Sequence, residues 1–238
     1  MIEESILRIN AQISRVCSKI NRNPEEISVI AVSKGRSLQE IEEAVLTGIT
    51  DIGENRVQET LLKYNEHSRL RPAPCVIKWH MIGHLQTNKI KEAVKIFDLI
   101  QSVDSLHLAA EIDKQAAKIN KIQDILIEIK TSTEATKFGL KPDETVQVIK
   151  EMVRLKNINI NGLMTIAPLA GNPEKARPYF RMLRELRDEI NQLSLTAVQA
   201  RAESLQLKVL SMGMTDDFEV AIEEGSNMVR LGRAIFEG

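Results

Sequence analysis

A closed (β/α)8 TIM barrel with an extra N-terminal helix is the fold class this 238-residue sequence predicts, and three observations predict it. Strand-like runs alternate with helical patterns eight times, with no linker-like stretch between them. The runs are short and rich in β-branched residues, as in Ile27-Ser-Val-Ile-Ala-Val-Ser-Lys34, which is how a strand buried on both faces of a parallel sheet reads. Aromatic residues are only 3% of the chain, so the core must be aliphatic, as it is in helix-covered parallel sheets. A doubly wound open sheet is the alternative, because the second and eighth strands are very short.

Each element has its own signal. Ile2, Ile6, Ile9, Ile13, Val16 and Ile20 form a helical stripe ahead of the first strand, and Asn23-Pro24 turns the chain. The first strand closes on Lys34. Ser37-Leu-Gln-Glu40 is a capping box that opens a helix stopping at Gly48. A second strand over 49–53 delivers Glu54 and Asn55 to the same edge, and a helix follows to about Leu70. Val76 to Ile82 is the third strand; Thr87 then caps a lysine-rich helix. Residues 97–103 form the fourth strand, with Asp104 or Ser105 capping the next helix. Ile122 to Ile129 is the fifth, and Pro142 starts a helix with Asp143 and Glu144 in its first turn. Ile158 to Met164 is the sixth. A helix, possible to break in the middle, covers about 173–202. Leu205 to Leu210 is the seventh strand and ends in Ser211-Met-Gly-Met. A short helix begins at Asp216, and Asn227 to Leu231 is the eighth strand, followed by Gly232-Arg233 and a last helical turn.

The formal net charge is −1, so no basic excess points to nucleic acid or to an anionic membrane. Two cysteines, Cys17 and Cys75, make neither a disulfide framework nor a metal site. With no signal-like start and no long apolar span, the expected location is the cytoplasm.

A barrel gathers its strand ends at one mouth, where ligands bind. Lys34, Asn55, His80, Asp104, Lys137, Thr165, Ser211 and Arg230 are expected there. Partial desolvation of a strand-end lysine makes a neutral amine available for a Schiff base to an aldehyde; the plain alternative is an exposed lysine opening a loop. Ser211 with Gly213, and Gly232 with Arg233, sit after the last two strands, where barrels often hold phosphate. Glycines there are also ordinary turn residues. Arg230 lies inside a strand, and a buried arginine is costly unless paired. It could meet a neutral ring nitrogen of a cofactor or a core carboxylate. The histidines His80 and His84 read as packing or polar surface.

Ala31-Val-Ser-Lys34, Gly53-Glu-Asn-Arg-Val-Gln-Glu59, Trp79-His-Met-Ile-Gly83 with Leu85-Gln-x-Asn-Lys89, Thr136-Lys-x-Gly-Leu140, Leu210-Ser-Met-Gly-Met214 and Val229-Arg-x-Gly-Arg-x-Ile-Phe236 together resemble the pyridoxal phosphate homeostasis protein family. The blocks run in order over nearly the whole chain. The resemblance implies one barrel domain over residues 1–238, like the N-terminal domain of alanine racemase. It implies pyridoxal 5'-phosphate held as a Schiff base on Lys34, with Arg230 at the pyridine nitrogen. Ser211, Gly232 and Arg233 would hold the phosphate. Asn55 would lie near the ring, and Lys137 near its phenolic edge or phosphate. It implies binding, buffering and delivery of the cofactor with no established turnover, apo forms of pyridoxal phosphate enzymes as recipients, and no metal. The sequence departs from the family pattern at Arg36, where lysine is common.

The expected state is a monomer. An amino-acid racemase is the competing reading. It needs an acid–base group on each face of the substrate carbon, and beyond Lys34 no second candidate stands out; the chain also ends just after the eighth strand. A cationic Arg230 disfavours ring protonation and so weakens the electron sink that carbanion chemistry needs. A lysine lyase without cofactor is a third reading, and it has no need of a phosphate cup.

Overall fold

The computed structural model describes residues 1–69, 76–132, 138–196 and 205–238, the side chains of 194–196 excepted. It is a closed barrel of eight parallel strands in sequential order, β1 pairing with both β2 and β8. The strands are β1 (Ser28–Val32), β2 (Asp51–Glu54), β3 (Lys78–Met81), β4 (Leu99–Val103), β5 (Gln123–Glu128), β6 (Ile158–Met164), β7 (Val209–Ser211) and β8 (Met228–Leu231). The open-sheet alternative is excluded by the pairing of Ile30 with Arg230 and Ala31 with Leu231, which closes the sheet.

The extra helix α1 (Ile2–Lys19) turns Ile6, Ile9, Ile13, Val16 and Cys17 inward and packs on the last two helices, α8 (Phe218–Glu223) and α9 (Arg233–Phe236). Between them come α2 (Leu38–Leu46), α3 (Val57–Arg69), α4 (Ile90–Ile96), α5 (Leu106–Ala117), α6 (Pro142–Met152) and α7 (Arg177–Thr196). The capping box opens α2 as the sequence predicts, with Ser37 Oγ accepting from Glu40 N and the Glu40 carboxylate accepting from Ser37 N. Pro142 takes the first helical position of α6. Ser105, not Asp104, caps α5 by accepting from Leu108 N.

Several boundaries differ from expectation. The second strand begins at Asp51 and includes Glu54: Asp51 is the first residue in register with β3, and Thr50 only offers its carbonyl to Lys78 N at 2.9 Å. Thr87 caps nothing: it opens a 3-10 turn, Thr87–Lys89, that leads into α4. The long helix near 173 divides into a 3-10 turn, Pro173–Ala176, and α7. Its expected end beyond Thr196 lies outside the described residues, as do Cys75, Thr136 and Lys137.

Two apolar clusters hold the fold. The large one fills the shell between strands and helices and contains the big buried rings Trp79, Phe97 and Phe180. The small one lines the lumen with Ile30, Leu99, Leu126, Met164 and Met228, one from each of five strands. Residues two further along the same strands inherit the inward face, because strand side chains alternate. That places Val32, Gln101, Glu128 and Arg230 in the next layer, toward the strand C-termini.

Gly162 on β6 is required by contact rather than by turn geometry. A Cβ there would sit 1.9 Å from the carbonyl oxygen of Val209 on β7. Gly162→Ala should therefore push β6 and β7 apart and lower stability by about 3 kcal/mol or more. Urea unfolding of the variant checks this; a midpoint equal to that of the parent would show that the two strands can slide.

Candidate functional site

Lys34 lies two residues past the end of β1, in a turn closed by the Arg36 amide donating to Ser33 O at 3.0 Å. Gly35 takes φ +72° there, a conformation that suits glycine. Lys34 has the inward parity of Ile30 and Val32, yet its side chain is exposed. The desolvation expected at a strand end is therefore not supplied by the protein around it. What the fold supplies is a fixed root. Ser33 Oγ donates to Glu54 Oε1 at 2.7 Å, and Lys63 Nζ on α3 donates to Ser33 O at 2.9 Å. Lys63 also pairs with the fully buried Glu54 carboxylate. On the other side of the turn, Arg36 binds Glu40 and Glu237 and lies 5.5 Å over the Phe236 ring. The residues on either side of the lysine are tied to β2, α3 and the end of α9.

Arg230 stands beside this turn, one strand over. It is 4% exposed. Its Nη1 donates to Ser211 Oγ (2.7 Å) and its Nη2 to Thr165 O (2.8 Å). Burial pushes the guanidinium down to about 10, against the opposing pull of Glu128 and Asp217, so it stays a cation at neutral pH. Glu128, inward on β5, is pushed up to about 7 by its burial and by Asp104, with Arg230 pulling the other way. Asp217 is also pushed up by burial, while its Oδ1 accepts from Met214 N at 2.6 Å. Asp104 pairs with His84 at 3.4 Å, and the His84 ring stacks on Phe138 at 3.7 Å.

The remaining expected residues divide. Asn55 follows β2 at the rim, half-buried, where its backbone lies against Gly83. Gly232 follows β8 and opens α9, whose Ala234 amide donates to Thr215 Oγ1 at 3.3 Å. Arg233 is exposed and pairs with Asp216 at 2.6 Å. Ser211 is fully buried, and its hydroxyl is committed: it accepts from Arg230 and donates to Gln101 Oε1 at 2.6 Å. Thr165 is buried too, with its hydroxyl donating to Ile129 O at 2.8 Å. His80 is not at the mouth. It is in register with Gly53 and with Leu99 of the apolar lumen layer, and its ring reaches back to Asp51, the first residue of β2, and across to Gln101.

The match to a family model, "alanine racemase, N-terminal domain", covers residues 7–238. A pyridoxal phosphate homeostasis protein of Aquifex aeolicus is 41% identical over 233 residues, 98% of this chain and 96% of that relative. This chain belongs to the pyridoxal phosphate homeostasis protein family. The family member of Escherichia coli K12 is 32% identical over 99% of this chain and 95% of its own. Among solved structures, PipY of Synechococcus elongatus, with pyridoxal phosphate bound, is 33% identical with a TM-score of 0.80, over 94% of this chain and 99% of its own. An alanine racemase of Clostridium difficile shares the fold at 18% identity and a TM-score of 0.67, and this chain spans 56% of it.

In this family member, four functional candidates escaped sequence reasoning: Lys63, Glu54 as its partner, Gln101 and Glu128. Lys63 sits on a helix face that reads as solvated, and only the fold brings it under β1. Gln101 and Glu128 carry a detectable signal, since each is a polar residue two places after an apolar inward one, Leu99 and Leu126.

Two predictions follow from these groups. Lys63→Ala leaves the Glu54 carboxylate buried without its cation and should cost about 3–5 kcal/mol in urea unfolding; a loss under about 1 kcal/mol would mean that water replaces the ammonium. Glu128 is the pH-dependent one. Its folded-state value lies near 7 against an ordinary 4.5, so between those values the folded protein holds a proton that the unfolded chain has lost. Stability then falls as pH rises through that window, by up to about 3 kcal/mol. Glu128→Gln should match the parent at pH 4.5 and be more stable than it at pH 8. Parallel pH profiles for the two proteins would show that the carboxyl is not held protonated.

Proposed function

We propose that this protein binds pyridoxal 5'-phosphate in the barrel mouth, buffers it and delivers it, without catalytic turnover of its own. The observation that carries the reading is one exposed lysine amine on a tethered turn beside one buried guanidinium on the adjacent strand. The residues present fit the group. Among the described residues, Arg230 spends two of its five donors on Ser211 and Thr165, and a donor-only cation in a buried layer suits a neutral nitrogen acceptor. Its charge at neutral pH opposes a second positive charge on that nitrogen.

Pyridoxal phosphate supplies an aldehyde, a pyridine ring and a dianionic phosphate. Lys34 is the covalent attachment point for the aldehyde, and Arg230 donates to the ring nitrogen. Gly232 and Arg233 serve the phosphate: the Arg233 amide heads α9 with no acceptor in its own helix, and its guanidinium adds positive charge. Ser211 contributes through Arg230, since its hydroxyl proton goes to Gln101. Asn55 borders the ring. Lys137 serves as a second attachment point during transfer. The exposure of Lys34 suits a carrier, whose cargo must exchange with solvent or with an apo-enzyme.

The chain acts as a single barrel domain and as a monomer in the cytoplasm; no helix among the described residues is long and apolar enough to cross a membrane. The recipients are apo forms of pyridoxal phosphate enzymes.

The test is spectroscopic. The purified protein should take up pyridoxal phosphate with a visible absorbance band, and borohydride should fix one adduct, on the peptide containing Lys34. Lys34→Ala should lose the adduct while keeping its thermal midpoint, because an exposed side chain contributes little to stability. A protein that stays colourless and unmodified would remove the function and leave the barrel. Robust racemisation or transamination abolished by Lys34→Ala would instead make it an enzyme.

A further inference from the structure

Five side chains form a single file across the lumen. Arg230 Nη1 donates to Ser211 Oγ (2.7 Å), and Ser211 Oγ donates to Gln101 Oε1 (2.6 Å). Gln101 Nε2 donates to His80 Nδ1 (3.0 Å), and His80 Nε2 donates to Asp51 Oδ1 (3.0 Å). The file begins at a cation on β8 and ends at a carboxylate on β2, passing through β7, β4 and β3. Ser211 and Gln101 are fully buried, and His80 is 3% exposed.

With His80 neutral, every bond in the file has one direction. Asp51 only accepts, so a neutral His80 carries its proton on Nε2 and leaves Nδ1 as an acceptor. The Gln101 amide must then turn its nitrogen to His80 and its oxygen to Ser211. The one Ser211 proton is thereby taken, and its oxygen can only accept from Arg230. Thr165 O fixes the second guanidinium nitrogen. Each choice made at Asp51 is passed on to the orientation of Arg230. A lumen of this size can be filled by apolar residues, as the layer of Ile30, Leu99, Leu126, Met164 and Met228 shows. Four polar groups ending at one guanidinium are a costly substitute unless that orientation matters.

We propose that Gln101 and His80 are positioning residues, which through Ser211 set the Arg230 guanidinium for donation to the ring nitrogen of pyridoxal phosphate. This deepens the functional reading above and rests on it. The effect should therefore be specific to the ring nitrogen and leave contacts with the aldehyde and the phosphate unchanged.

The experiment measures equilibrium affinity for pyridoxal phosphate and for its 1-deaza analogue, in which C–H replaces the ring nitrogen. The full chain is compared with Gln101→Met, which keeps the volume and removes the bonds to Ser211 and His80, together with a third that Gln101 Nε2 donates to Met228 Sδ at 3.3 Å. The parent should prefer pyridoxal phosphate. Gln101→Met should shrink that preference by about tenfold, with affinity for the analogue unchanged. Gln101→Glu should keep the preference, because a carboxylate still takes the Ser211 proton and can accept a second from His80 once that ring is protonated on both nitrogens. If Gln101→Met does not fold, Ser211→Ala breaks the same link, and the ratio of the two affinities still isolates the ring nitrogen. A parent that binds both compounds equally would overturn the placement of Arg230 and the proposal with it. A parent that discriminates, with a folded variant that discriminates just as well, would overturn the proposal alone and leave the cofactor site standing.

Discussion

Arg230 is a full positive charge placed inside a closed barrel, and much of the lumen is arranged around that fact. An unpaired buried guanidinium would cost several kcal/mol. The barrel offsets this with a carbonyl on one side, a hydroxyl on the other, and two partly protonatable carboxyls, Glu128 and Asp217, near enough to shift with it. None of those is a simple salt bridge. The arrangement leaves the cation satisfied enough to be buried and still in possession of unspent donors. A bidentate carboxylate would have spent as many donors and neutralised the charge as well.

Closure of the sheet does the rest. Because β1 lies directly against β8, the turn that bears Lys34 and the strand that bears Arg230 are neighbours, although nearly two hundred residues separate them in the chain. The turn is then secured from both sides, by Lys63 and Glu54 behind it and by Arg36 reaching to Glu237 beyond it. The Lys34 side chain is left exposed beyond a backbone held from both sides, which suits the reversible attachment proposed for it better than full enclosure would.

The strand–helix alternation, the aliphatic strands and the capping signals made the barrel legible in the sequence, because those features are local. Lys34, Asn55, Arg230 and Gly232 were legible as strand-end residues for the same reason. What could not be read was direction and partnership. His80 was expected at the mouth and is inside, because an inward residue looks the same in sequence at any depth of a barrel. Ser211 was expected to offer its hydroxyl to phosphate; the hydroxyl is engaged by Gln101, a contact across 110 residues that no spacing reveals. Lys34 was expected to be desolvated, and the fold leaves it exposed. Ser105 won the cap from Asp104 through backbone geometry that composition cannot distinguish.

The packing of α1 carries one more consequence. Cys17, the free thiol among the described residues, is wholly buried beneath that helix, and burial pushes it up from its ordinary range. It is inert while α1 stays seated on α8 and α9. Those two helices flank the strand that carries the guanidinium. The thiol is thus a built-in reporter: its rate of reaction with a disulfide reagent counts how often the chain's first helix lifts from its last, and so how often the seam of the barrel breathes without the barrel coming apart.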